Sequence, residues 1–73
     1  MAEVKVLSEL NANVWKIEVA VGDTVDEDQE LIILESMKTE IPVPAPKAGV
    51  VKEILIAEGD AIVERQPLIV IES

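Results

Sequence analysis

The chain contains no cysteine and no histidine. Without cysteine there is no disulfide framework and no thiolate nucleophile, and without either residue the usual zinc-ligand sets cannot be assembled. The lack of histidine also removes the general base best suited to neutral pH, so Ser-His-Asp triads and Cys-His pairs are excluded. With that inventory, a chain of 73 residues is not expected to be an enzyme in its own right. Tyrosine and phenylalanine are missing as well, leaving Trp15 as the one aromatic, so the expected core is almost wholly aliphatic. Basic residues are scarce, with six Lys and Arg against fifteen Asp and Glu and a net charge of −9. Phosphate binding needs clustered Lys and Arg, so nucleic acid is not an expected partner. The acidic excess reads first as solubility and second as steering toward basic surfaces. No apolar run approaches the roughly 18 residues of a membrane span. The start, MAEVKVLSEL, lacks the charged and apolar regions of a signal peptide. The expected location is the cytoplasm, with no membrane partner.

What the chain does have is β-branched residues: of 26 Val, Ile and Leu, 20 are Val or Ile. Branching at Cβ is tolerated in strands and packs well there. It also has a repeat. Laid over residues 49–73 at an offset of 37, residues 12–36 match without gaps, with 11 identities in 25 positions, among them Gly22/Gly59, Gln29/Gln66 and Ser36/Ser73. The repeat removes an ambiguity. Residues 26–38 are rich in helix formers with Leu31, Leu34 and Met37 on one face, but the sibling segment carries Pro67 followed by a β-branched run. Proline in a helix interior breaks it, so both copies are expected to be strands.

Trp15, Ile17, Val19 and Val21 alternate with Lys16, Glu18 and Ala20, the pattern of a half-buried strand running to the Gly22-Asp23 turn. Leading strands are expected near Glu3–Leu7 and through Thr39–Val43, for about eight short strands in all. That set predicts an all-β sandwich or flattened barrel with quasi-two-fold symmetry, folded as one domain over residues 1–73. Pro42, Pro44 and Pro46 read as a stiff crossover between the halves.

The symmetry makes Met37-Lys38 the joint between the halves, at the tip of a hairpin. A two-residue hairpin loop normally takes residues that tolerate positive φ, usually Asn-Gly or Asp-Gly. A lone lysine in a turn is usually a solvated charge and a methionine usually core filler. Met-Lys at this place breaks the local rule, which is expected where function overrides stability. The residues alone point to a presented lysine amine suited to acylation.

The segments Glu35-Ser36-Met37-Lys38 and Ala45-Pro46-Lys47-Ala48-Gly49-Val50-Val51-Lys52-Glu53-Ile54, with the paired Gly-Asp turns, resemble the biotinyl/lipoyl attachment domains. Within them the chain is most similar to the short standalone biotin carboxyl carrier proteins, over nearly its whole length. The resemblance implies a barrel-sandwich hybrid of two four-stranded antiparallel sheets. It implies that Lys38 is joined to biotin by a biotin protein ligase, with Met37, Thr39, Glu35 and Ser36 flanking the attachment. The carrier would then pass a carboxyl group from a biotin carboxylase to a carboxyltransferase. Acetyl-CoA carboxylase, which serves fatty acid biosynthesis, is one such system; propionyl-CoA, pyruvate and urea carboxylases are others. A freestanding monomer is expected, because the thumb and the Ala/Pro-rich linker of some bacterial carriers are missing.

Departures from the family pattern are specific. Thr39 follows the lysine where biotinyl domains usually place Met. Asp28 and Arg65 precede Gln where glycine is frequent, and Arg65 is expected to strain or reshape its turn. Asn11-Ala12-Asn13 stands where a glycine is frequent, and asparagine is expected to substitute for it in a turn. The nearest alternative is a lipoyl carrier domain of an oxidative complex, in which Asp usually precedes the lysine; Met37 favours biotin. The other is an unmodified module that mediates assembly.

Overall fold

The computed structural model describes residues 2–73. Eight strands run β1 (Glu3–Leu7), β2 (Ala12–Ile17), β3 (Thr24–Val25), β4 (Glu30–Ser36), β5 (Thr39–Pro44), β6 (Gly49–Ile54), β7 (Ala61–Ile62) and β8 (Pro67–Glu72). They form two four-stranded sheets, β1-β8-β6-β3 and β5-β4-β2-β7, antiparallel at every pairing. There is no helix among the described residues, so the reading of residues 26–38 as strand and turn holds.

A shift of 37 residues carries each strand of the first sheet onto one of the second: β1 onto β5, β8 and β4 onto each other, β6 and β2 likewise, and β3 onto β7. The symmetry extends to individual bonds. The Gly22 amide donates to the Val51 carbonyl at 2.8 Å, and the Gly59 amide donates to the Val14 carbonyl at 2.7 Å. Both glycines sit at the third position of a turn, with φ of 96° and 92°, in the left-handed region that glycine enters without a Cβ penalty. The second pair of turns is equally matched. The Gln29 amide donates to the Asp26 carbonyl and the Gln66 amide to the Val63 carbonyl, each at 3.1 Å. Asp28 (φ 70°) and Arg65 (φ 69°) occupy the positive-φ position. Arg65 therefore adopts the same turn as Asp28 and bears its strain without reshaping it.

The core is aliphatic throughout. Leu31, Ile32 and Leu34 of β4 and Leu68, Ile69 and Ile71 of β8 are all 0 % exposed, packed with Val14, Val25, Val51 and Ile62. Ser8 is the one buried polar residue described; its hydroxyl donates to the Leu10 carbonyl at 2.6 Å.

Three expectations are corrected. The alternation starting at Trp15 does not run unbroken. Pairing of β2 with β4 skips from Val14–Leu34 to Lys16–Ile33, leaving Trp15 as the extra residue of a β-bulge. Val14 is consequently buried and Trp15 is 49 % exposed. The strand ends at Ile17, short of Gly22, and Val21 is exposed. Secondly, Pro42 and Pro44 belong to β5, an edge strand. Thr39, Ile41 and Val43 lie opposite Ser36, Leu34 and Ile32 in the ladder, so the proline nitrogens face away from β4, where no donor is needed. Thirdly, no residue of Asn11-Ala12-Asn13 substitutes for a glycine conformation, since none has positive φ. Asn11 instead accepts the Glu64 amide through Oδ1 at 2.7 Å.

Candidate functional site at the hairpin tip

β4 and β5 form a hairpin whose last rungs are Glu35 opposite Glu40 and Ser36 opposite Thr39. Only Met37 and Lys38 remain to turn the chain, with φ of 52° and 66°. Two consecutive positive φ values are the mark of a type I′ loop, whose twist matches that of the flanking strands. For a residue with a Cβ, the left-handed region costs roughly 1–2 kcal/mol, so the tip holds two strained residues, neither of them Gly, Asn or Asp. The hairpin ladder above the buried Leu34 and Ile32 imposes that conformation. Met37 is 95 % exposed. Lys38 and Thr39 are exposed and Glu35 and Ser36 half-buried.

The five residues singled out in the sequence thus lie together at one hairpin end. The arrangement has a simple chemical capacity. Among the described residues, Lys52 is the only cation in an ion pair, so Lys38 is held by no carboxylate. Its primary amine stands clear of the body on a rigid two-strand support and has open access for an acylating enzyme. An open groove of about 620 Å³ runs between β1 and β5, lined by Val6, Leu10, Ile41 and Val43 among others, and no residue from Glu35 to Thr39 lines it. The tip is a projection of the hairpin.

Sequence reading passed over Glu40, although the signal was present: once the loop is two residues long, counting outward places Glu40 opposite Glu35. It also missed that Trp15 is turned outward by the bulge, which depends on strand pairing and has no local mark.

Residues 4–71 match the Biotin_lipoyl family, described as "Biotin-requiring enzyme". The chain belongs to this family. Its members are carrier domains, on which biotin or lipoate is held through a lysine and which are not themselves catalytic. The Biotin/lipoyl attachment protein of Bacillus subtilis is 48 % identical over 46 residues, 63 % of each chain. The dihydrolipoyllysine-residue acetyltransferase component of the pyruvate dehydrogenase complex of Haemophilus influenzae is 59 % identical over 44 residues, 60 % of this chain and 8 % of that one. The urea carboxylase of Kluyveromyces lactis superposes with a TM-score of 0.92 at 38 % identity, over 99 % of this chain and 6 % of that one. The chain therefore spans under two thirds of the first relative and less than a tenth of the other two. No helix among the described residues is long and apolar enough to cross a membrane.

Proposed function

We propose that the chain, residues 1–73 acting as one carrier domain, is a biotin carboxyl carrier and that Lys38 is the attachment residue. The observation that carries the reading is the strained, exposed Met37-Lys38 turn in a member of this family. Attachment would form an amide bond: the neutral Nζ attacks the activated carboxyl carbon of biotin, the activating group departs with its electron pair, and the nitrogen sheds a proton. The attached group supplies the nitrogen that accepts and releases a carboxyl group. The chain supplies a rigid support and a long arm, which replaces free diffusion of a labile intermediate with a high effective concentration at two sites.

The partners in this reading are a biotin protein ligase, a biotin carboxylase and a carboxyltransferase, such as those of an acetyl-CoA carboxylase. The carrier works as a cytoplasmic monomer. Glu35, Ser36, Met37 and Thr39 flank the acceptor, and Met37, directly beside it, is the one the ligase reads. Met37 before the lysine and the likeness to urea carboxylase favour biotin. Lipoylation is the second reading, favoured by the identity with the Haemophilus influenzae acetyltransferase component. Intact mass after co-expression with a biotin ligase and, separately, with a lipoate ligase tests the choice. A biotin increment alone supports the proposal, and a lipoyl increment alone overturns it.

A further inference from the structure

The two-fold symmetry supplies an internal control for the outer faces of the two sheets, and those faces differ. On the first sheet, Glu3 of β1 and Glu72 of β8 are directly opposite each other. Like charges so placed repel. Lys52, the bulge residue of β6, resolves this: its Nζ pairs with Glu3 and lies 3.8 Å from Glu72. Val70 beneath is buried, and Lys5 lies opposite it on β1.

At the equivalent place on the second sheet, the acidic pair is retained as Glu40 and Glu35. Every other element is exchanged. The bulge residue is Trp15 instead of Lys52, Pro42 stands for Lys5, and Ile33, half-buried, stands for Val70. Lys16 lies opposite Ile33 and makes no ion pair among the described residues. One face therefore neutralises its own carboxylates and covers its apolar centre. The other presents an indole, a proline and an isoleucine beside two carboxylates without a counter-ion, one rung behind the Met37-Lys38 tip.

We infer that this outer face of the second sheet, centred on Trp15 and the Glu35–Glu40 pair, is the docking surface for the biotin carboxylase. The inference rests on the reading of Lys38 as the biotin-bearing residue. The complementary chemistry is a guanidinium or ammonium set in an apolar surround. Such a group takes the position that Lys52 fills on the other sheet, its charge between the carboxylates and its flat or methylene surface against the indole. The position on the face argues against the ligase as its occupant. A ligase must close over Nζ itself and so reads Met37 and Lys38. An enzyme that draws in the far end of a loaded arm leaves the tip outside its active site and needs a footing behind it.

The test uses biotinylated parent, Trp15→Ala, Glu40→Lys and, as a sheet-one control, Lys52→Ala, each checked by mass and thermal unfolding. Carboxylation by a biotin carboxylase that turns over with the parent is measured against carrier concentration. Trp15→Ala and Glu40→Lys should each raise KM by about fivefold with kcat within about twofold, as loss of an encounter contact does. Lys52→Ala should match the parent, and biotinylation rates should be unchanged in all three variants. KM unchanged in both sheet-two variants overturns the inference, and so does a rise in KM that appears with a carboxyltransferase and not with the biotin carboxylase. So does a fall in biotinylation rate that parallels the rise in KM, because the face then belongs to the ligase. A parent that takes no biotin removes the functional reading itself, and this inference with it.

Discussion

Ser36 and Thr39 face each other across the last rung of the β4–β5 hairpin, with Met37 and Lys38 alone spanning the gap in left-handed conformations. Met37 is 95 % exposed, so its side chain gives the fold almost no buried area. Aspartate enters the left-handed region more readily than methionine. Met37→Asp should therefore leave the melting temperature within a few degrees of the parent, or raise it, while biotinylation by a ligase falls at least tenfold. A drop in melting temperature comparable to a core truncation would show that Met37 packs against the body.

Gly22 and Gly59 allow a clean measurement of backbone strain. A Cβ built on either meets nothing within 4 Å, so a substitution there acts through φ alone. Alanine at each site should destabilise by about 1–2 kcal/mol, and by the same amount at both. Gly49 is the contrast. Its Cβ would lie 2.6 Å from the Glu72 carbonyl oxygen and 2.7 Å from Ile71 Cγ2, so β6 could not approach β8 as it does. Gly49→Ala should cost clearly more than either turn glycine. Urea unfolding curves of the three variants check the order, and a stabilised Gly22→Ala or Gly59→Ala refutes the shared strain.

Much of this was legible because the repeat carries information at both scales. Gly22 with Gly59 and Gln29 with Gln66 located four turns, and Pro67 decided between strand and helix for its sibling segment as well as its own. Met37-Lys38 is legible as a loop because the repeat makes it the joint between the two halves. What escaped were features that depend on pairing. Trp15 alternates correctly with its neighbours along the chain, and only the skip from Leu34 to Ile33 across β4 turns it outward. Pro42 and Pro44 look like connector residues until the ladder shows their nitrogens on the free edge of β5. Lys52 and Glu3 are 49 residues apart, and no spacing rule joins them.

That ion pair predicts a pH window. The hydrogen bond from Lys52, and then its charge, hold the Glu3 carboxyl below its ordinary value of 4.5. The same pair, hydrogen bond first, raises Lys52 above its ordinary 10.5. A depressed carboxylate contributes stability above its unfolded value and loses it as pH falls through the folded one. A raised ammonium contributes below its unfolded value and loses that as pH rises through the folded one. Both groups are solvated, so the contribution is small. The difference in melting temperature between the parent and Lys52→Met should thus be constant between about pH 5.5 and 9.5, and should shrink at more acid and more alkaline pH. A difference that grows on acidification would contradict the pairing.

The decisive substitution for the proposed function is Lys38→Arg. A guanidinium stays protonated under ordinary conditions, so it has no neutral amine with which to attack an activated biotinyl carbon. It keeps the charge and the apolar stem, and at an exposed tip without an ion pair the exchange should alter stability by no more than about 0.5 kcal/mol. Arginine has a Cβ like lysine and adds no new strain at a φ of 66°; Arg65 already holds a φ of 69° in this chain. The remaining lysines serve as controls within the same molecule. Lys16 and Lys52 lie in strands, Lys5 lies on β1, and Lys47 precedes β6. None has the positive φ that turns a side chain out at a two-residue loop. The variant, co-expressed with a biotin ligase, should show the mass of the unmodified chain and the melting temperature of the parent. A biotin-sized increment on Lys38→Arg would transfer the acceptor role to one of those four lysines and leave the strained tip without its proposed purpose.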